Sequence, residues 1–195
     1  MPLKINYCKA IVIVHGKSEL MMAEYIKSNL KLNMAILSNA NGKSSIQVNG
    51  LLDFMKSDTR LKSIRTLERE FLPKVVGKRV EDFKVFTLMD LDDCTEKMAE
   101  KYKTKEMFES SWLYEYIVPI WSVPNFDIAM KKANVIKELP NSKEKASTYS
   151  KVFPMDHLNR TNIGEIEEFA RLIKDSKCTN LKEFVDYCLK IATAN

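Results

Sequence analysis

Glycine and proline are both scarce, five and six in 195 residues. That excludes a collagen-like chain and a linker-rich one. Cysteine is sparse as well. The four present, Cys8, Cys94, Cys178 and Cys188, form no C-x-x-C pair and have no histidine near them in sequence. Zinc fingers and thioredoxin-like redox motifs therefore have no support. Histidine occurs only at His15 and His157. A Ser-His-Asp hydrolase would need one of these, and no Gly-x-Ser-x-Gly elbow exists to present its nucleophile. His157 follows Asp156 in a loop, where a surface or structural role is expected. Long apolar runs are missing too. No stretch approaches the ~20 residues that span a bilayer, and the run at 10–14 is too short for the apolar region of a signal peptide. The expectation is a cytoplasmic protein with no membrane partner, its thiols reduced and packed as small core residues.

What is there is an ordinary globular composition, 45% hydrophobic and 29% charged. It suits one domain, or one domain with an appendage. A chain of this length buries roughly 70% of its unfolded surface and needs no disulfide or metal staple. The formal charge of +5 is mildly basic and permits a polyanionic partner.

Along the chain, the β-branched run at 9–14 reads as a strand buried on both faces. His15-Gly16-Lys17-Ser18 breaks it, and a helix begins at Glu19. A short strand is expected at 34–37, a polar loop at 38–44 and a helix at 46–55. Leu61, Ile64, Leu67 and Phe71 repeat at helical spacing, which predicts an amphipathic helix over 59–72. A third strand is expected at 85–89, then helices at 95–102 and from 105. A fourth strand is expected at 116–120, with Pro119 marking an edge. Helices are expected at 126–132, 142–152, 164–174 and 181–192. Strands alternating with helices over the first ~130 residues indicate an α/β domain with a mainly parallel sheet. The division expected is an α/β domain at 1–141 and a helical C-terminal extension at 142–195 packed on it.

Gly16-Lys17-Ser18 and Gly42-Lys43-Ser44 each follow a strand and invite a P-loop reading. That loop needs a glycine five residues before the Gly-Lys pair, so that backbone N–H groups can wrap the phosphates. Ile11 and Leu37 stand there instead. Both are expected to be strand-to-helix turns.

The informative feature is acidic. The strand at 85–89 runs into Asp90-Leu91-Asp92-Asp93. On an extended chain, Asp90 and Asp92 at i and i+2 point to the same side. Like charges clustered at a buried strand's end are unfavourable unless a cation neutralises them, and carboxylate oxygens suit Mg²⁺ or Mn²⁺. If the first and third strands are neighbours, His15 and Glu19 face these aspartates. The bland alternative is a solvated turn capping the helix at Thr95.

These residues resemble a TOPRIM domain, the metal-binding α/β module of topoisomerases, primases and several nucleases. The family pattern is a hydrophobic strand ending in Glu-Gly and a later strand ending in Asp-x-Asp. Here they read Ala10-Ile-Val-Ile-Val-His15-Gly16 and Val85-Phe-Thr-Leu-Met-Asp90-Leu-Asp92. The Gly-Lys-Ser loop and Glu19 resemble the OLD-type nucleases. The segment Trp121-Ser-Val-Pro-Asn-Phe-Asp127 resembles the RloB-like stand-alone members of bacterial defence systems. The resemblance implies a TOPRIM-like (Rossmann-like) three-layer fold with a four-stranded sheet over roughly residues 9–130. It implies that Asp90, Asp92 and Glu19 hold Mg²⁺ or Mn²⁺. His15 stands where the family has glutamate, and so becomes a proton-transfer group, a metal ligand, or the mark of a catalytically degenerate member.

Positive charge is unevenly placed. Residues 56–84 hold nine Lys/Arg against five Asp/Glu, and residues 131–151 hold six lysines against two glutamates. On the helix expected at 59–72, Lys62, Arg65 and Arg69 form a basic stripe that suits a phosphodiester backbone, with Lys17 and Lys43 adding cations beside the acids. The aromatics Trp112, Tyr114, Tyr116 and Trp121 are not interleaved with cations and are expected in the core. Two functions remain open. One is a metal-dependent TOPRIM-type nuclease acting on DNA or RNA, with a partner protein where it serves in phage defence. The other is a degenerate TOPRIM scaffold that binds nucleic acid or serves as an adaptor.

Overall fold

The computed structural model describes residues 5–155 and 162–193; His157 lies outside the described residues. The β-branched run forms β1 (Ala10–Val14), every residue of it buried. It leads into α1 (Lys17–Leu30), β2 (Met34–Leu37), α2 (Val48–Ser57) and α3 (Ile64–Phe71). A short hairpin follows, β3 (Lys74–Val76) and β4 (Arg79–Glu81), then β5 (Lys84–Asp90), α4 (Glu96–Lys103) and β6 (Ile117–Ser122). The remainder is helical: α5 (Phe126–Lys132), α6 (Lys145–Val152), α7 (Ile163–Ile173) and α8 (Lys182–Thr193).

The main sheet has the order β2-β1-β5-β6, with all neighbours parallel. Its two faces follow from side-chain alternation along the strands. Ala10, Val12, Val14, Phe86 and Leu88 face one core, against residues of α1 and α5 to α8. Ile11, Ile13, Val85 and Met89 face the other, against α2, α3 and α4. The result is a three-layer α/β fold of Rossmann-like type. No helix among the described residues is long and apolar enough to cross a membrane.

Strand order matters for function. From β1 the chain moves outward to β2, then returns past β1 to β5 on its other side. The switch point lies between β1 and β5, whose carboxyl ends carry His15 and Asp90. In open parallel sheets such a crevice is where ligands gather.

Three sequence expectations are corrected. The helix expected over 59–72 is a 3₁₀ turn (Thr59–Leu61) and a separate α3, which is capped by Ser63 accepting from Thr66 N at 3.3 Å. The helix expected from Lys105 is two short turns, Glu106–Phe108 and Tyr114–Tyr116, with Phe108 and Leu113 buried between α4 and β6. The hairpin β3–β4 replaces what the sequence offers only as a connection. Its strands are three residues long, too short to show alternation, and turn at Gly77 with φ +62°.

Pro119 does lie on an edge strand, and the residues beyond 141 close that edge. Trp121 N donates to Asn180 Oδ1 at 2.8 Å, Asn180 Nδ2 to the Pro119 carbonyl at 3.0 Å, and Val123 N to the Cys178 carbonyl at 2.7 Å. Paired this way, β6 presents no open ladder to other chains.

Candidate functional site

Three consecutive strand ends deliver polar groups to the switch point. β1 is followed at once by His15 and Gly16, so α1 starts one residue later and Glu19 falls in its first turn. Glu19 folds back rather than outward, its Oε2 accepting from Gly16 N at 3.1 Å. β5 ends on Asp90, whose Oδ1 accepts from Phe126 N at 2.8 Å, at the start of α5. An anion at a helix start is favourable. After β6, the first turn of α5 adds Asp127.

Glu19 and Asp90 are 4% and 9% exposed and line one void of 10 Å³ with Leu88, Ile120, Ser122, Phe126 and Leu181. That is barely the room one water needs. Burial pushes the Asp90 carboxyl up to about 9, and the nearby Glu19 charge adds to it. Burial likewise raises Glu19, against the opposing charge of His15. Asp93 is raised too, chiefly by burial, and its Oδ1 is buried with no hydrogen-bond partner. Without a cation, burial favours the protonated form of each of these acids, because that form avoids uncompensated buried charge.

His15 is oriented by the loop after β2. Its Nδ1 lies 2.9 Å from the Ile46 carbonyl, while Ile46 N donates to the His15 carbonyl at 2.8 Å. A carbonyl only accepts, so Nδ1 carries the proton. Nε2 is left facing Asp90 Oδ2 at 3.8 Å. The two Gly-Lys-Ser loops meet here as well. A Cβ on Gly42, at φ +76°, would come within 3.1 Å of Lys17 Cα and of Leu20. Glycine lets the loops pack and sets the exposed Lys17 and Lys43 on neighbouring turns at the carboxyl ends of β1 and β2.

Other expectations shift. Asp92 is exposed and accepts from Asn125 Nδ2 at 2.8 Å. β5 stops at Asp90, so the same-side rule for an extended chain does not reach Asp92. Among the described residues, no group of three or more His, Cys, Asp or Glu side chains converges as a metal site. The stripe of Lys62, Arg65 and Arg69 is not beside the acids. Lys62 precedes α3, Arg69 pairs with Glu70, and α3 ends where Leu72 accepts from Cys8 N ahead of β1. This is the amino end of the sheet, roughly 20 Å from the site over the seven residues of β5. The turns after α2 carry the chain to that end, which residue spacing could not reveal. Trp112 and Tyr114, expected in the core, are each 37% exposed.

Sequence reasoning misses four participants. Asn125 caps α5, its Oδ1 accepting from Ile128 N at 3.1 Å, while its amide holds Asp92. Asp127 takes Tyr149 Oη at 2.7 Å and pairs with Lys145 Nζ at 2.7 Å. Burial works against the Lys145 charge, but the Asp127 bond and the Glu19 and Asp90 charges hold its ammonium above the usual range. Asn125 has a signal, its capping position ahead of Phe126. Lys145 and Tyr149 have none, because α6 reaches the site only through tertiary packing against α1.

The site is therefore two buried carboxylates, Glu19 and Asp90, flanked by an oriented imidazole, three further aspartates (Asp92, Asp93 and Asp127) and three lysines. Its donors suit Mg²⁺ or Mn²⁺ chemically: they are hard oxygens whose mutual repulsion a divalent ion would relieve. Mg²⁺ is commonly held through one or two carboxylates, so a third converging side chain is not required. Comparison with protein-family models, with curated proteins and with solved structures gives no match to this chain.

Proposed function

We propose that this protein is a divalent-metal-dependent nuclease of TOPRIM type, acting on DNA or RNA phosphodiesters. The observation that carries the reading is the pair Glu19 and Asp90, delivered from the first turn of α1 and the end of β5 to one buried void at the switch point. Isolated buried acids are costly, and a site that keeps two side by side is built for a charge it does not itself contain. Glu19 brings a carboxylate back to the strand end where the family pattern expects one at position 15.

In this reading Asp90 and Glu19 hold Mg²⁺ or Mn²⁺, with Asp92 at the entrance. The ion, when bound, polarises a phosphate oxygen and neutralises developing charge. His15 has Nδ1 committed to Ile46, so Nε2 is the atom that takes a proton from an attacking water. Lys17 and Lys43 lie where phosphate oxygens approach, and Lys145 pairs with Asp127 at 2.7 Å, placing a cation beside the outer acid.

A plasmid-nicking and RNA-cleavage assay across Mg²⁺ and Mn²⁺ tests the proposal. Cleavage by the native protein is expected to depend on the metal and to vanish in Asp90→Asn/Asp92→Asn. Activity surviving that double change would remove the mechanism. The exposed position of Asp92 favours a second reading, a degenerate scaffold that binds nucleic acid without cutting it. Salt-sensitive binding with no cleavage in either metal would select that reading.

A further inference from the structure

At the opposite end of the sheet, two clefts meet at one aromatic side chain. A cleft of 210 Å³ is lined by Leu52, Met55, Lys56, Leu61, Lys62 and Trp112. A second, of 480 Å³, is lined by Lys62, Ile64, Lys78, Arg79, Trp112 and Tyr116. Trp112 and Lys62 belong to both. Lys56, Lys62, Lys78 and Arg79 are all exposed, and none forms an ion pair within 4.0 Å among the described residues. The carboxylate lining these clefts is Glu115. Neighbouring cations are already matched: Arg60 by Asp58, Arg69 by Glu70, Lys74 by Glu81. Lys56, Lys62, Lys78 and Arg79, which ring the tryptophan, are among those left unmatched.

The aromatic wall is held rigidly. Trp112 Nε1 donates to the Leu61 carbonyl at 2.8 Å, and Val80 N donates to Tyr116 Oη at 3.1 Å. The two rings meet edge to face with centroids 6.4 Å apart. Beyond them the exposed Tyr114 has Lys105 Nζ over its ring at 4.7 Å. A tryptophan that is 37% exposed while its N–H is satisfied by main chain keeps its orientation and offers a π surface at little entropic cost. Residues far apart in sequence here bring aromatic and cationic groups to the same clefts.

We propose that this surface is a binding site for single-stranded nucleic acid, with Trp112 as the stacking platform and Lys56, Lys62, Lys78 and Arg79 on the phosphates. Unpaired cations supply the sequence-independent attraction to the backbone. A fixed, half-exposed indole supplies the stacking that distinguishes an unpaired base from a duplex, whose bases are already stacked. The site is separate from the acidic cleft and stands whether or not that cleft cuts.

The test keeps the two apart. Binding of a fluorescein-labelled oligothymidylate is measured by anisotropy and by tryptophan emission, in chelator and on the Asp90→Asn background. Neither metal nor cleavage then contributes. The oligonucleotide is expected to bind and to quench tryptophan emission. Trp112→Phe should abolish the quench while Trp121, toward the other end of β6, still emits. Trp112→Ala should weaken binding about fivefold or more. Lys62→Ala/Arg79→Ala changes only exposed side chains and should flatten the salt dependence, by about 0.7 in the log–log slope for each phosphate no longer neutralised. Equal affinity for a duplex or for inorganic polyphosphate would overturn the proposal. So would a quench that survives Trp112→Phe, or a Lys62/Arg79 variant that binds like its parent.

Discussion

Glu19 and Asp90 are carboxylates placed where ionisation is expensive, and that cost has a measurable sign. Asp90 titrates at about 9 in the folded protein against 3.8 ordinarily, chiefly because it is buried. Below the ordinary value both folded and unfolded chains are protonated, and the group contributes nothing. Above it, the unfolded chain has lost a proton that the folded chain still holds, so rising pH favours unfolding until the folded group also ionises. Metal-free protein should therefore lose stability as pH climbs from about 4 to about 9, with Glu19 acting in the same direction. Asp90→Asn preserves the acceptor for Phe126 N and removes the charge. We expect it to raise Tm in chelator at about pH 8, with the difference from the native chain shrinking toward about pH 4. Thermal melts across that range check this, and parallel pH profiles for the two proteins would refute it. In His15 a neighbour sets the tautomer: the Ile46 carbonyl fixes which ring nitrogen carries hydrogen.

At the level of elements, short helices and loops place the chemistry, and their caps connect stability to the site. Asn125 is the clearest case. Its Oδ1 caps α5 and its Nδ2 holds Asp92, while the α5 backbone N–H of Phe126 holds Asp90. Asn125→Ala should cost about 1 kcal/mol in denaturant unfolding, the usual penalty for a lost N-cap. It should also release Asp92, so cleavage or metal affinity should fall by more than the stability change explains. A variant that unfolds earlier with undiminished metal response would separate the cap from the site. The amphipathic pattern of 61–71 is compatible with one continuous helix. Asp58 and Ser63 both compete as caps, and the chain uses each of them, giving a turn and then α3.

For the whole molecule, α6, α7 and α8 contribute to the core on one face of the sheet. Phe184 is fully buried and meets Phe86 of β5 edge to face, with ring centroids 5.1 Å apart. Tyr187 Oη donates to the Lys9 carbonyl at 2.8 Å, beside the start of β1. Phe184→Ala should cost about 3–5 kcal/mol by urea denaturation, since it removes a large side chain from a packed interior. Removing 142–195 should leave a chain without a cooperative transition, because β6 loses its edge partner and one face of the sheet keeps only α1 and α5 as cover. A truncated chain that melts cooperatively would show that the sheet stands alone.

Strand and helix types, the parallel sheet and the polar strand ends were legible in residue order, because buried β-branched runs and helical spacing are local signals. Pro119 announced an edge for the same reason. His15, Glu19 and Asp90 could be named as neighbours once the strands carrying them were assumed adjacent. Three things depended on packing across the fold. Asp92 separated from Asp90 because the strand ended between them. Lys145 and Tyr149 joined Asp127 from a helix that lies well beyond it in the chain. The basic stripe went to the far end of the sheet, where its Lys62 met Trp112 instead of the acids. Charge and aromatic content are properties of the sequence, but which charge faces which ring depends on how helices pack across a sheet, and that packing is decided only when distant apolar faces are buried together.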